Sequence, residues 1–216
     1  MKRICLLAIS VASLVAQEPP PAPPLIATAP AISRWTIVTE AVNASASPAA
    51  RGPETVVCKA GNRRLEVTTT AQGTKSESFA VNGLSFQKRP GFAPGDIYVE
   101  NAGSGDFPEF SWVKAENFVG TRTEAGKKFH VYAWTPAAMV MNPNGSSRQV
   151  APAVPGTQGG KVLEAWIDAS TRLPARLVHP TFRKIYTFAK SSANDALPSA
   201  EIRSRVEACF GGKFPE

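Results

Sequence analysis

The sequence predicts a mainly β fold of the α+β class, and three observations predict it. Short runs rich in β-branched and aromatic residues recur from about residue 55 to residue 189, each bounded by Gly, Asn or Pro. Tight-turn signals such as Asn82-Gly83 and Glu124-Ala125-Gly126 fall between several of them. Only two stretches carry a credible helix start and stop.

Taken in order, residues 31–42 leave helix and strand open. Ile32, Trp35, Thr39 and Val42 fit one helical face, while Thr36-Ile37-Val38-Thr39 is β-branched and favours a strand. Strands are expected at 55–59, 64–70, 76–82, 84–87, 96–100, 111–122, 127–134, 161–168, 174–178 and 183–189. A short helix is expected at 136–141, with Thr135 as its cap and Pro136 in the first position. The Gly/Pro/Ser/Gln-rich stretch 143–160 reads as a long loop with little to bury. A second helix follows Ser199, placing Ile202, Val206, Cys209 and Phe210 on one face. It pairs Glu201 with Arg205 and ends at Gly211-Gly212.

Three segments organise the chain. Residues 1–16 read as a signal peptide: Lys2 and Arg3 precede an apolar run from Ile4 to Val15, too short to span a bilayer as a helix. Residues 17–30 form a Pro-rich linker, with six prolines in the thirteen positions 18–30. Residues 31–216 are long enough for a single domain with a sizeable core. The expected location is therefore extracytoplasmic, in a periplasm or secreted, with no transmembrane segment after signal cleavage.

Export bears on charge and on cysteine. Losing Lys2 and Arg3 from the 24 Lys plus Arg leaves 22 against 17 Asp plus Glu, a formal +5. These charges are scattered, without the clustered stripe or module of a nucleic-acid binder, so no nucleic-acid partner is expected. With Cys5 cleaved away, Cys58 and Cys209 remain, and an oxidising compartment makes a Cys58–Cys209 disulfide the simplest expectation.

Several strands carry apolar bulk on both faces. Phe129, Val131 and Ala133 alternate with His130, Tyr132 and Trp134, and Tyr186 and Phe188 share a face with Lys184. Either helices and loops cover the second face, or that face lines an apolar pocket. No GxSxG, HExxH, Walker or GxGxxG motif occurs, and the only histidines are His130 and His179. No catalytic residue, metal ligand or cofactor is therefore expected; a hydrolase using His130 is the enzymatic alternative.

Residues 164–177 read EAWIDASTRLPARL, a strand ending in Trp-Ile-Asp, a Ser/Thr turn, and a strand opened by Leu-Pro-Ala-Arg. Over 161–188 this hairpin resembles the LolA-like families, which include lipoprotein carriers, their receptors and RseB-like periplasmic stress regulators. The resemblance implies a curved antiparallel sheet or incomplete β-barrel covered by one or two short helices and loops. It also implies a non-catalytic protein with an apolar pocket for a lipid or acyl chain. The alternative on the same fold is a regulatory or interaction domain with an envelope protein as partner. On this reading the pocket would be lined by Phe129, Tyr132, Met139, Met141, Trp166, Tyr186 and Phe188, with helix 136–141 as a partial cover.

Overall fold

In the computed structural model, residues 18–22, 25–42, 52–91, 93, 95–135, 139–141, 147–149 and 162–215 are described. Thirteen strands occur among them: β1 Ile32–Ala41, β2 Glu54–Ala60, β3 Arg63–Thr69, β4 Lys75–Val81, β5 Leu84–Lys88, β6 Tyr98–Asn101, β7 Phe118–Glu124, β8 Lys127–Trp134, β9 Met139–Met141, β10 Ser147–Gln149, β11 Leu163–Asp168, β12 Pro174–Val178 and β13 Phe182–Ala189. One helix, α1 Ala200–Cys209, follows them. The signal reading of residues 1–16 lies outside the described residues.

Eleven strands form one curved, unclosed antiparallel sheet in the order β6-β5-β4-β3-β2-β1-β13-β12-β11-β8-β7. Its edges, β6 and β7, are consecutive in the chain and do not pair. The sheet is thus a meander stitched at its centre by β1 against β13 and left open between β6 and β7. That central position decides the ambiguity at 31–42. The β-branched run Thr36–Thr39 gains ladder partners on both sides, Val56 and Thr187 flanking Thr36.

Short turns set the register. Asn82 and Gly83 both have positive φ, 49° and 81°, as do Ala125 and Gly126, at 49° and 76°. Each pair closes a two-residue hairpin whose twist matches that of its strands. Gly52 allows a different contact: a Cβ there would stand 2.2 Å from the Thr39 carbonyl oxygen, where the chain enters β2 alongside β1.

Because side chains alternate across a strand, the register sorts the core into two faces. On the front, Trp35, Ile37, Val57, Tyr132, Ile167 and Tyr186 form one buried cluster. The β6–β7 connection crosses it, contributing buried Phe107, Phe110 and half-buried Trp112. On the back, Cys58, Leu65, Phe79, Phe86 and Val81 pack beneath Ile202 and Val206 of α1.

Four expectations change. Residues 111–117 are turn and 3-10 helix rather than strand, because they bridge two edges that do not pair and fold Trp112 and Val113 onto the front core. Met139–Met141 is not helical but pairs with Ser147–Gln149 as a hairpin, in keeping with the weakness of an isolated six-residue helix. On α1 the i, i+4 ion pair is Arg203–Glu207, at 2.9 Å, while Glu201 reaches across to Lys88 of β5. Finally, Cys58 and Cys209 are free thiols. Ile202, Val206 and Phe210 take the inward stripe of the helix end, which turns Cys209 to solvent while Cys58 stays buried.

The Pro-rich stretch read as a linker lies against the domain at its described residues. Leu25 and Ile26 pack on the front core and Ala29 is buried there. Ala27 N donates to Arg172 O at 2.9 Å, and Glu18 stands 3.5 Å from Lys128.

Candidate functional site

The sequence-derived pocket residues do not share one face. Tyr132, Tyr186 and Phe188 stand on the front, where they belong to the packed core with Trp35, Phe107 and Phe110. Trp35 lies 5.8 Å from Phe188 and 5.4 Å from Phe107 between ring centroids, and Phe110 meets Tyr186 edge-on at 5.3 Å. Phe129 and Trp166 point to the back, in a separate cluster with Val131. There the Trp166 ring is held between the Arg176 and Arg122 guanidinium groups, 4.8 and 5.2 Å from its centroid. Met139 and Met141 lie on β9, outside the eleven-stranded sheet.

The front core contains one strong polar anchor. Tyr186 Oη donates to Glu109 Oε1 at 2.6 Å, and burial, with the Glu109 carboxylate beside it, pushes the phenol far above its ordinary range. His130 also faces front. Its Nδ1 stands 3.4 Å from Thr121 Oγ1, its ring meets Phe118 edge-on at 6.0 Å, and burial lowers its pKa.

The large opening in the front face lies elsewhere, over β2–β6. It is a cleft of about 1330 Å³, with residues 26–28 and the 102–108 stretch as walls. Sequence explains the space. Moving outward from β1, the front-facing positions change from aromatic to small and hydroxylic: Ser76, Ser78 and Ala80 on β4, then Ser85 on β5. The same strands place Phe79 and Phe86 on the back, so the floor is supported from behind by the second core.

The floor is polar and organised. Ser78 Oγ and Ser85 Oγ lie 3.2 Å apart, and Thr55 Oγ1 and Thr68 Oγ1 lie 2.8 Å apart. Gln87 donates to Glu100 and accepts from Arg89 Nε at 2.9 Å, so one amide links β5 to the edge strand. Arg64 binds Glu66 Oε2 and Gly105 O, each at 3.2 Å, and its guanidinium lies 5.7 Å from the Trp35 centroid.

One junction joins both walls to the floor. Asp106 Oδ2 accepts from Lys59 Nζ at 2.8 Å and from Ala29 N at 2.9 Å, while Lys59 also donates to Ala29 O at 3.3 Å. Both ionic side chains are largely buried, 14% and 11% exposed. Among the described residues no cluster of His, Cys, Asp and Glu could hold a metal.

None of these cleft residues was assigned to a binding site from sequence. The alternation Ser76, Ser78, Ala80 against Phe79 and Val81 was the available signal, but it reads equally well as a solvated face.

The hairpin at 164–177 forms as its residues suggest. Asp168 Oδ1 accepts from Ser170 N at 2.9 Å and from Thr171 N at 3.0 Å. Burial works against the ionised carboxylate, yet these bonds and that from the Ser170 hydroxyl hold its pKa below the usual value.

No protein-family model matches the chain, and no curated protein matches it. Among solved structures it is similar to a chain of the Pseudomonas aeruginosa MucA/MucB complex, at 14% identity and a TM-score of 0.39. That match covers 79% of this chain and 56% of the other, so this chain spans little more than half the length of that relative. It is also similar to the Mycobacterium tuberculosis lipoprotein LppX, at 13% identity and a TM-score of 0.34, over 78% of this chain and 88% of LppX.

Proposed function

We propose that the protein is an exported, non-catalytic binding domain of the regulatory or interaction kind, taking a protein segment in its front cleft. One observation carries this reading. The aromatic half of the front face is filled by the chain's own side chains, whereas the polar half keeps a cleft of about 1330 Å³. An acyl chain gains roughly 0.8 kcal/mol per buried CH₂ only where it meets apolar walls. A floor of Ser78, Ser85, Gln87 and Glu66 instead offers hydrogen bonds to a peptide backbone. Export rests on the basic and apolar pattern of residues 1–16, and among the described residues no helix is long and apolar enough to cross a membrane.

A photo-cross-linking residue placed at Ser76, on the cleft floor, tests the reading in the native cells. Thr187, exposed on the back face, is the control position. A discrete protein adduct from Ser76 and none from Thr187 is expected. No adduct from Ser76, together with fatty-acid displacement of an apolar dye from the purified protein, would return the acyl-carrier reading.

A further inference from the structure

How a protein segment sits at the cleft follows from the free edges of the sheet, on the reading that the cleft is the binding site. The sheet is open between β6 and β7. β7 carries a bulge: its register shifts between Phe118 and Gly120, and Gly120 has φ 133°. A bulge turns an edge away from further pairing. β6 carries neither a bulge nor a proline, and its Glu100 lines the cleft.

The ladder shows which groups of β6 are free. Ala102 N donates to Gly83 O at 2.8 Å, so these two residues form a hydrogen-bonded pair. In an antiparallel ladder such pairs alternate with non-bonded ones. Glu100 and Tyr98, opposite Ser85 and Gln87, therefore bond to β5, while Val99 and Asn101 turn their N–H and C=O outward. Among the described residues no strand takes them up.

Alternation also sorts the side chains of this edge. Val99, opposite Phe86, belongs with Ile97 to the apolar cluster on the back. Tyr98 and Glu100 face the front, and Tyr98 is 53% exposed. Arg89, just beyond β5, donates to the Gln87 amide and lies 5.9 Å from the Tyr98 centroid. Among the described residues it forms no ion pair. A hollow of about 430 Å³, lined by Asp96, Ile97, Tyr98 and Arg205, leaves room beside the start of the strand.

An added strand has to match these surroundings in order. Beside Tyr98 it meets the unneutralised Arg89, beside Val99 an apolar surface, and beside Glu100 a carboxylate. We propose that a partner protein pairs an extended segment with β6 as a twelfth strand of the sheet, with an acidic and a basic side chain facing front on either side of an apolar one facing back. A second copy of this chain would bring only the four residues of its own β6, far short of the roughly 1,000 Å² that a specific interface buries. A partner segment is not limited to that length.

The test uses the full mature chain and a fluorescent peptide, Ser-Lys-Val-Glu-Val-Lys-Ser, which reads the same in both directions and should bind saturably. The same residues with alternation broken, Ser-Val-Val-Glu-Lys-Lys-Ser, should bind at least tenfold more weakly, because one valine then faces front. Methylating alternate backbone nitrogens of the first peptide should abolish binding in one phase and spare it in the other, since only every second N–H of an added strand points at β6. Asn101→Pro removes an outward N–H and no bond to β5. It should weaken binding at least tenfold with thermal unfolding close to wild type. Arg89→Gln should weaken binding about threefold, as for an exposed ion pair, and Arg122→Gln, on the back of β7, should leave it unchanged. No saturable binding, equal binding of the two methylated phases, or no effect of Asn101→Pro overturns the proposal. So does a dimer of the free protein that Asn101→Pro dissociates, which would assign the edge to a second copy. If Ser76 cross-links a partner in cells and Asn101→Pro leaves that adduct unchanged, only the edge pairing falls and the binding-domain reading stands.

Discussion

Replacing Asp106 by Ala removes the acceptor that joins the N-terminal stretch, the β6–β7 connection and β2. Two bonds are lost, from Lys59 Nζ at 2.8 Å and from Ala29 N at 2.9 Å. Lys59, only 14% exposed, is left without its counter-ion. Breaking a buried pair from one side costs about 3–5 kcal/mol, against at most about 1 kcal/mol for a pair in open solvent. Because both groups keep some access to water, the lower figure of about 3 kcal/mol is expected. For a domain of this size that lowers Tm by about 6–12 °C. Differential scanning calorimetry of Asp106→Ala, Lys59→Met and the double variant measures it. The double variant should be less destabilised than the sum of the single ones, since no charge is then left unpaired. A loss below about 0.5 kcal/mol in Asp106→Ala, or simple additivity in the cycle, would refute the reasoning and make the junction an ordinary surface pair.

Two other expectations are as direct. In the native protein a thiol reagent should label Cys209 and leave Cys58 unmodified until denaturation, because Cys58 is buried and its burial raises its pKa; denatured protein in which neither thiol reacts before reduction would instead establish the Cys58–Cys209 disulfide. Asp168, held below the usual carboxylate range, contributes stability that is present above about pH 4 and lost as pH falls through its folded pKa, so the gap in urea midpoint between wild type and Asp168→Asn should narrow from pH 7 to pH 3, and a constant gap would contradict the assignment.

Much of the local structure was legible in the sequence because it rests on neighbouring residues. Asn82-Gly83 closes its hairpin by its own dihedral preference, and Gly126 marks the second turn, where the hairpin holds Ala125 at φ 49°. Asp168 caps its turn with donors two and three residues away. The α1 stripe of Ile202, Val206 and Phe210 follows from helical period, and the stop from Gly211 and Gly212, both at positive φ. Where such short-range terms compete, distant partners decide. Thr36–Thr39 extends because β2 and β13 flank it, and Trp112 leaves the expected strand because the front core accepts it.

The site needed the tertiary structure for a different reason. Alternation divides each strand into two sets of side chains but does not say which sets from different strands meet. That depends on register, and a shift of one residue exchanges them all. Pairing Val131 with Trp166 and Tyr132 with Ala165 sent Phe129 and Trp166 to the back while Tyr132 and Tyr186 closed the front. The expected apolar pocket was therefore divided between two packed clusters. The cleft arose from the opposite kind of residue: small polar side chains on β4 and β5 look like a solvated face in one dimension. They become a floor only when residues 26–28 and 102–108, distant in sequence, are drawn over them by Lys59 and Asp106.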